Sequence, residues 1–405
     1  MTKFFTHIKE AVPAGGRIYG RELRNIFHDP GVLLFLLFLP LAYPVIYSLI
    51  YNPELVREVP VVVIDSDRSA LSRGFTRRFN ATEGAEIIGY AADISEARRA
   101  VDSKDAFAVL EIPEGFGRKI ARNEQAPAVL YCEMSLLLRY RALLFSITDL
   151  QTSMGAELLA DDISDFGLES IASDSDPMPI AAVSLGNLQS GFDSFIMPGV
   201  IILILQQCIV LAVGMLGGAR HENPDMIGYN PVNRSRSTLA DMIAKASAYI
   251  TMLIFPILWL LHFVPRIFDF PMEGDMMQIF SFILPMVFAS IALGFIVQAF
   301  CRERESIFVI WVATSIAFLF LSGLTWPRYA MSPGWTLISD LVPATWGING
   351  YILMNANGST LSDVSAQWHN LWLLAAFYGL TAWAAQRFII RRTTPAPANS
   401  PVPGA

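Results

Sequence analysis

The hydrophobic positions of this chain fall into long unbroken runs separated by two kinds of connection, and that spacing predicts its architecture. Apolar runs at about 31–51, 195–217, 241–264, 277–300, 306–325 and 369–390 each approach the roughly 20 residues needed to cross a hydrocarbon core. The first, GVLLFLLFLPLAYPVIYSLIY, is too long for a signal-peptide apolar region and has no small-x-small cleavage site after it, so it reads as a retained anchor. Pro40 and Pro44 within it each remove a helix hydrogen bond and predict a kink.

Between the first two runs the pattern changes period. VPVVVID (59–65), EIIGY (86–90), AFAVLEIP (106–113) and APAVLYC (126–132) are short β-branched or apolar runs that read as strands. Helical stretches lie between them: one capped at Ser66–Asp67 and running to about Phe79, one opened by Asp93 with Glu96 in a capping-box spacing and running to about Val101, and a short one over EGFGRKIARNE. A longer helical arm spans about Leu136 to Ile171. The expected fold class is therefore an α-helical polytopic membrane protein with six transmembrane helices and an inserted α/β extracytoplasmic domain. The expected domains are 1–30, a cytosolic amphipathic N-terminal helix; 31–51, the first span; 52–194, the α/β domain with its helical arm; 195–390, a five-helix region with an outward re-entrant segment at 326–368; and 391–405, a disordered Pro-rich tail.

Composition supports lipid as part of the solvent. The 405 residues are 53% hydrophobic and 16% charged, against about 25% charged in soluble domains, and the mean hydropathy is +0.44. Lys and Arg mark the cytosolic side of short loops. Lys3, Lys9, Arg17, Arg21 and Arg24 precede the first span; Arg220, Arg234, Arg236 and Lys245 surround the second connection; Arg302 and Arg304 lie before the fifth span, and Arg387, Arg391 and Arg392 close the last. The alternate short loops hold only Arg266 and Arg328, so both termini are expected in the cytosol. The net charge of −7, concentrated in the 52–193 segment, argues against nucleic acid as a partner. Three cysteines, of which only Cys132 lies in the soluble segment, make no disulfide framework.

Catalytic motifs are missing. No lysine is followed by Ser or Thr, so there is no P-loop; His221-Glu222 lacks the second histidine of a zincin; and there is no GxSxG elbow. Asp65 and Asp67 read as a strand end and a helix cap, and no metal site is expected. The spans carry no Asp, Glu, Lys or Arg near a bilayer centre, where ion-coupled carriers place ionisable groups. A pump built this way draws its energy from a partner.

Four stretches, in this order and spacing, resemble the type 2 ABC transporter permease family, in the drug-exporter-like branch with a large extracytoplasmic domain after the first span. They are GRELRNIFHDPGVLLFLLFLP (20–40); VPVVVIDSDRSALSR with the later AVLEIPEGFGRKI; Arg220-His221-Glu222 followed by NPVNRS (230–235) and Lys245; and LSGLTWPRYAMSP (321–333) with LVPATWGINGYI (341–352). The stretch HENPDMIGYNPVN lacks the Gly-Thr that the family often has in this loop. The resemblance implies a permease subunit of an ATP-driven exporter in a bacterial inner membrane, with no catalytic residue and no cofactor of its own. ATP and Mg would sit on a cytosolic ATP-binding subunit. A second permease subunit, alike or different, and the lipid bilayer would complete the assembly, with a periplasmic adaptor as a further partner. It implies an ATPase-coupling segment at Arg220, His221, Glu222, Pro231, Asn233 and Arg234, and a membrane-surface helix carrying Arg21, Glu22, Arg24 and Phe27. Gly323, Pro327, Pro333 and Pro343 would shape the outward hairpin. Gly214 and Gly218 form a GxxxG that permits close helix approach, either within the chain or between subunits. The alternative reading is a membrane-anchored receptor or scaffold acting through its outward domain without transport.

Overall fold

A computed structural model describes residues 2–51, 55–122, 124–165, 191–222, 238–301 and 303–393. The chain divides into two compact units, Pro53–Val183 and the remainder, Met1–Asn52 with Ser184–Ala405.

The discontinuous unit is helical. Helix α1 (Thr2–His28) ends at Asp29, whose carboxylate accepts from the backbone N–H groups of Gly31 and Val32, both at 3.1 Å, and so caps α2 (Pro30–Ile50). Asp followed by Pro at the first helical position is an efficient start: the cap satisfies orphan donors and Pro has no N–H to leave unpaired. Within α2 the turn Leu34–Phe38 widens to π geometry just before Pro40.

The Pro53–Val183 unit follows. Strands β1 (Val59–Asp65), β2 (Ala85–Tyr90), β3 (Ala108–Ile112) and β4 (Val129–Cys132) form one sheet in the order β2-β1-β3-β4, with β1 parallel to both neighbours and β4 antiparallel to β3. Helices α3 (Ala70–Asn80), α4 (Ile94–Asp102), α5 (Phe116–Ile120) and α6 (Leu137–Asp165) belong to this unit. Alternation along β1 sends Val59, Val61 and Val63 into one core with Phe75, Phe79, Phe116, Leu143 and Leu150, and sends Val62 and Ile64 into a smaller one with Ala97 and Val109. The cap expected at Ser66–Asp67 falls instead on Ser69. Asp67 is engaged elsewhere: its carboxylate accepts from the amides of Gly115 and Gly117, each at 2.9 Å, and pins the β3–α5 turn, where Gly115 has φ +82°. At Asp93 the cap forms as expected, accepting from Glu96 N–H at 2.8 Å, while Glu96 accepts from Ala92 N–H.

The helical unit resumes with α7 (Phe192–Glu222), α8 (Leu239–Ile267), α9 (Met276–Phe300), α10 (Arg304–Leu321), α11 (Pro333–Asp340), α12 (Pro343–Asn357) and α13 (Ser365–Thr393). Among the described residues five helices are long and apolar enough to cross a membrane: α2, α7, α8, α9 and α10. The sixth expected span, 369–390, falls within the 29-residue α13, which is not one of the five. Helix α7 is apolar on every side and is the hub; 89% of its apolar window is buried, against 6% for α10. It runs through Arg220, His221 and Glu222, which were expected in the following loop, because after the Gly217–Gly218 pair the next helix breaker is Pro224. Helix α10 stops at Ser322, short of the expected 325, because Gly323 takes φ +89°. The expected tail begins inside α13; residues 394–405 lie outside the described ones.

Candidate functional site

Glu22, Asp29, Arg220, Glu222 and Arg304 of the helical unit converge on one end of α7. Arg220, in its last turn, forms an ion pair with Glu22 of α1, and both side chains are almost wholly buried, at 10% and 4% exposed. Burial alone would push the Glu22 carboxyl up. The charge and hydrogen bonding of Arg220, helped by Lys245, outweigh it and hold the group below the usual carboxylate range. Tyr249 of α8 is buried against the same carboxylate, and Lys245 pairs with Asp241 one turn away at 3.0 Å. A buried pair of this kind is stable only with both partners; removing one strands a charge and costs about 3–5 kcal/mol.

A second knot lies beside the first. Arg304 opens α10. Its guanidinium donates to Asp29 at 2.5 and 3.3 Å, while its backbone N–H donates to Glu222 at 2.9 Å and its Nε lies 3.6 Å from the same carboxylate. One residue thus joins the cap of α2, the end of α7 and the start of α10. The approach is possible because of glycine. A Cβ on Gly218 would lie 2.9 Å from the backbone N of Arg304, and one on Gly214 would lie 2.8 Å from Cγ2 of Ile307. The GxxxG therefore serves an α7–α10 contact inside the chain.

Of the α1 residues singled out in sequence, only Glu22 is buried. Arg21, Arg24 and Phe27 are exposed, while Ile26 packs inward and Tyr19 donates to Thr251 of α8 at 3.2 Å. Pro231, Asn233 and Arg234 lie outside the described residues, and His221 is described only as helical backbone. At the other end of the unit, Pro333 and Pro343 stand at the first positions of α11 and α12, and Pro327 precedes the 3₁₀ turn Arg328–Ala330. There Arg328 pairs with Asp340 and lies 4.8 Å from the Trp346 ring, whose Nε1 donates to the Asp340 carbonyl at 2.9 Å. Arg328, Trp346, Asn349, Ile352, Leu353 and Gln367 line a cleft of about 290 Å³.

Sequence reasoning valued Arg304 only as a cytosolic marker and passed over Tyr249, Gln206 and Gln207. Two adjacent amides in an apolar span were the available signal. Gln206 accepts from Ala344 N–H, and Gln207 donates to Ser315 at 3.1 Å, so both stitch α7 to its neighbours. The aspartates at 65 and 67 accept from Asp67, Arg68, Gly115 and Gly117 backbone amides, which accounts for them as turn-forming groups.

The fold so described, with five helices long and apolar enough to cross a membrane among the described residues, is that of a multi-pass membrane protein. The ABC-2 family transporter protein family matches residues 30–384, and the chain belongs to it. A search of curated proteins finds no match. The chain is thus a permease component of an ABC transporter, a class that generally works with an ATP-binding subunit.

Proposed function

We propose that this chain is the membrane half of an ATP-driven exporter that moves a small or amphiphilic substrate out of the cytosol or the membrane. In this reading it crosses a bacterial inner membrane six times with both termini in the cytosol and pairs with a second permease subunit. It binds no nucleotide; ATP and Mg bind two cytosolic partners that press on the segment 220–236.

One observation supports it above the others: the end of α7 is wired by charge to α1 and to Arg304 of α10, which also holds the cap of α2. A push on the residues that follow Glu222 would move these elements together as a rigid body, the form of motion that packed helices transmit. The wiring needs no ionisable group at mid-membrane, in keeping with energy supplied from outside the chain.

The test is to purify the protein from its native membrane in mild detergent, identify what accompanies it, and measure ATPase and transport in vesicles. The expected result is a cytosolic ATP-binding subunit in near-equal amount, released when residues 223–236 are replaced by a neutral linker. For Arg304→Ala the expected result is retained association and ATPase with transport lost. Reproducible absence of any ATPase would overturn the proposal in favour of a receptor or scaffold.

A further inference from the structure

One face of α6 in the Pro53–Val183 unit is left without a partner among the described residues, and its composition and place point to what covers it. On the inner side of α6, Leu143 and Leu150 are buried in the larger sheet core with Ile147 packed beside them. On the outer side Leu137, Arg141, Leu144 and Phe145 recur at helical spacing as one stripe; the three apolar ones are 66%, 42% and 58% exposed. Met134, just before the helix, is 57% exposed. A helix that is apolar on two sides is normally covered on both.

The place follows from strand register. Val59 pairs with Ala85, Val61 with Ala108, and Ala108 with Cys132, so the start of β1 and the end of β4 lie at the same end of the sheet. The chain enters that end from α2: only seven residues, eight Cα steps, lie between Tyr51, just after α2, and Val59. At about 3.3 Å per residue the tether reaches no more than roughly 26 Å. The exposed segment begins at this same end, two residues past Cys132, and α6 crosses it there. Gly84, next to the start of β2, lies so close that an added Cβ would come within 2.7 Å of the Ala142 carbonyl.

Charge agrees. The Asn52–Asp193 segment has roughly ten more acids than bases. Between Glu133 and Asp149, however, it carries two arginines and no acid. Arg139 is held at home, its guanidinium 3.6 Å from the Phe107 ring and 3.8 Å from Glu133. Arg141 is exposed and lies 5.2 Å from the Phe145 ring. Leucine and phenylalanine with an arginine that can lift its head toward phosphates is the make-up of a segment lying in a headgroup layer.

We propose that Met134–Phe145 is a membrane-contact surface, resting in the headgroup layer of the bilayer that the chain itself spans, on the side where the α/β domain lies. The ligand is a lipid surface with anionic character. Its consequence is a domain held down on the membrane rather than swinging on its tether.

The test uses the full-length protein in vesicles of phosphatidylcholine with phosphatidylglycerol, carrying single spin labels at Leu137→Cys, Leu144→Cys or Phe145→Cys. The background has Cys132→Ser, Cys208→Ala and Cys301→Ser. Ile94→Cys, 49% exposed at the opposite end of the sheet, is the control. The three positions should relax more with oxygen than with a water-soluble nickel chelate, and Ile94 should show the reverse. Arg141→Glu should shift the Phe145 label toward the chelate. Chelate-dominated relaxation at all three positions would overturn the proposal. So would protection accompanied by spin–spin broadening between labels on two copies, which would assign the face to a second chain.

Discussion

At the residue scale, the Glu22–Arg220 pair is both the most costly and the most informative contact. Each charge is removed from water and tolerable only beside the other. We expect Glu22→Met or Arg220→Met alone to lower stability by about 3–5 kcal/mol. The double variant should recover most of that loss, because a matched apolar pair leaves no charge stranded. Thermal unfolding in detergent measures it, and a double-variant loss equal to the sum of the two single losses would show that the two residues do not act as a pair. Asp67 is a different case, half-buried and fixed by hydrogen bonds. Ser69 and the amides of Gly117 and Gly115 hold its carboxyl below the usual carboxylate range. A depressed folded-state value adds stability above the unfolded value of about 3.9 and loses it as pH falls through the folded one. The α/β domain should therefore weaken on its acid limb below about pH 4. In Asp67→Asn stability at neutral pH should be lower and that limb shallower; an acid limb parallel to the parent's would remove Asp67 from the account.

At the element scale, the α7–α10 contact rests on two glycines that differ in what they meet. Alanine at either would gain up to about 1 kcal/mol of helix propensity. At Gly218 the new methyl would face the backbone of Arg304 and Glu303, which cannot move aside. Overpacking of about 1–3 kcal/mol should then outweigh the propensity gain. At Gly214 the neighbour is the Ile307 side chain, so the loss should be smaller. Apparent melting temperatures of Gly218→Ala and Gly214→Ala test the order; the reverse ranking would mean that backbone contact is not what limits the approach. The two π turns belong to this scale as well. Leu34–Phe38 in α2 and Trp259–Phe263 in α8 lie on helices joined by a hydrogen bond from Trp259 Nε1 to the Leu41 carbonyl at 3.1 Å. Pro40 and Pro44 marked α2 as irregular from sequence, but not that the irregularity takes the form of a widened turn.

At the scale of the whole molecule, two units with separate cores share one chain. The α/β unit closes its sheet around Val61, Leu110, Phe79 and Leu143 without borrowing a residue from the spans. Expressed by itself, 53–183 should fold to a soluble domain with a single cooperative thermal transition; a molten or aggregated product would show that its core is incomplete. The segment 220–236, where the partner ATPase is proposed to press, begins at a helix end already tied to α1 and, through Arg304, to α10 and the cap of α2, so a force there is shared by those elements.

Period and length are local properties, and they sufficed to place five of the long apolar helices, the β/α alternation at 59–132 and the Asp93 cap. Those features depend on residues within a few positions of one another, where side-chain direction is set by the backbone itself. Partnership is not local. Glu22 and Arg220 stand 198 positions apart, and nothing in the chain distinguishes Arg220 from the other arginines beside the spans until α1 and α7 are packed. In the same way GxxxG is compatible with contact to another subunit or to its own chain. The choice fell to α10 because Arg304 and Ile307 occupy the space that the two missing side chains leave open.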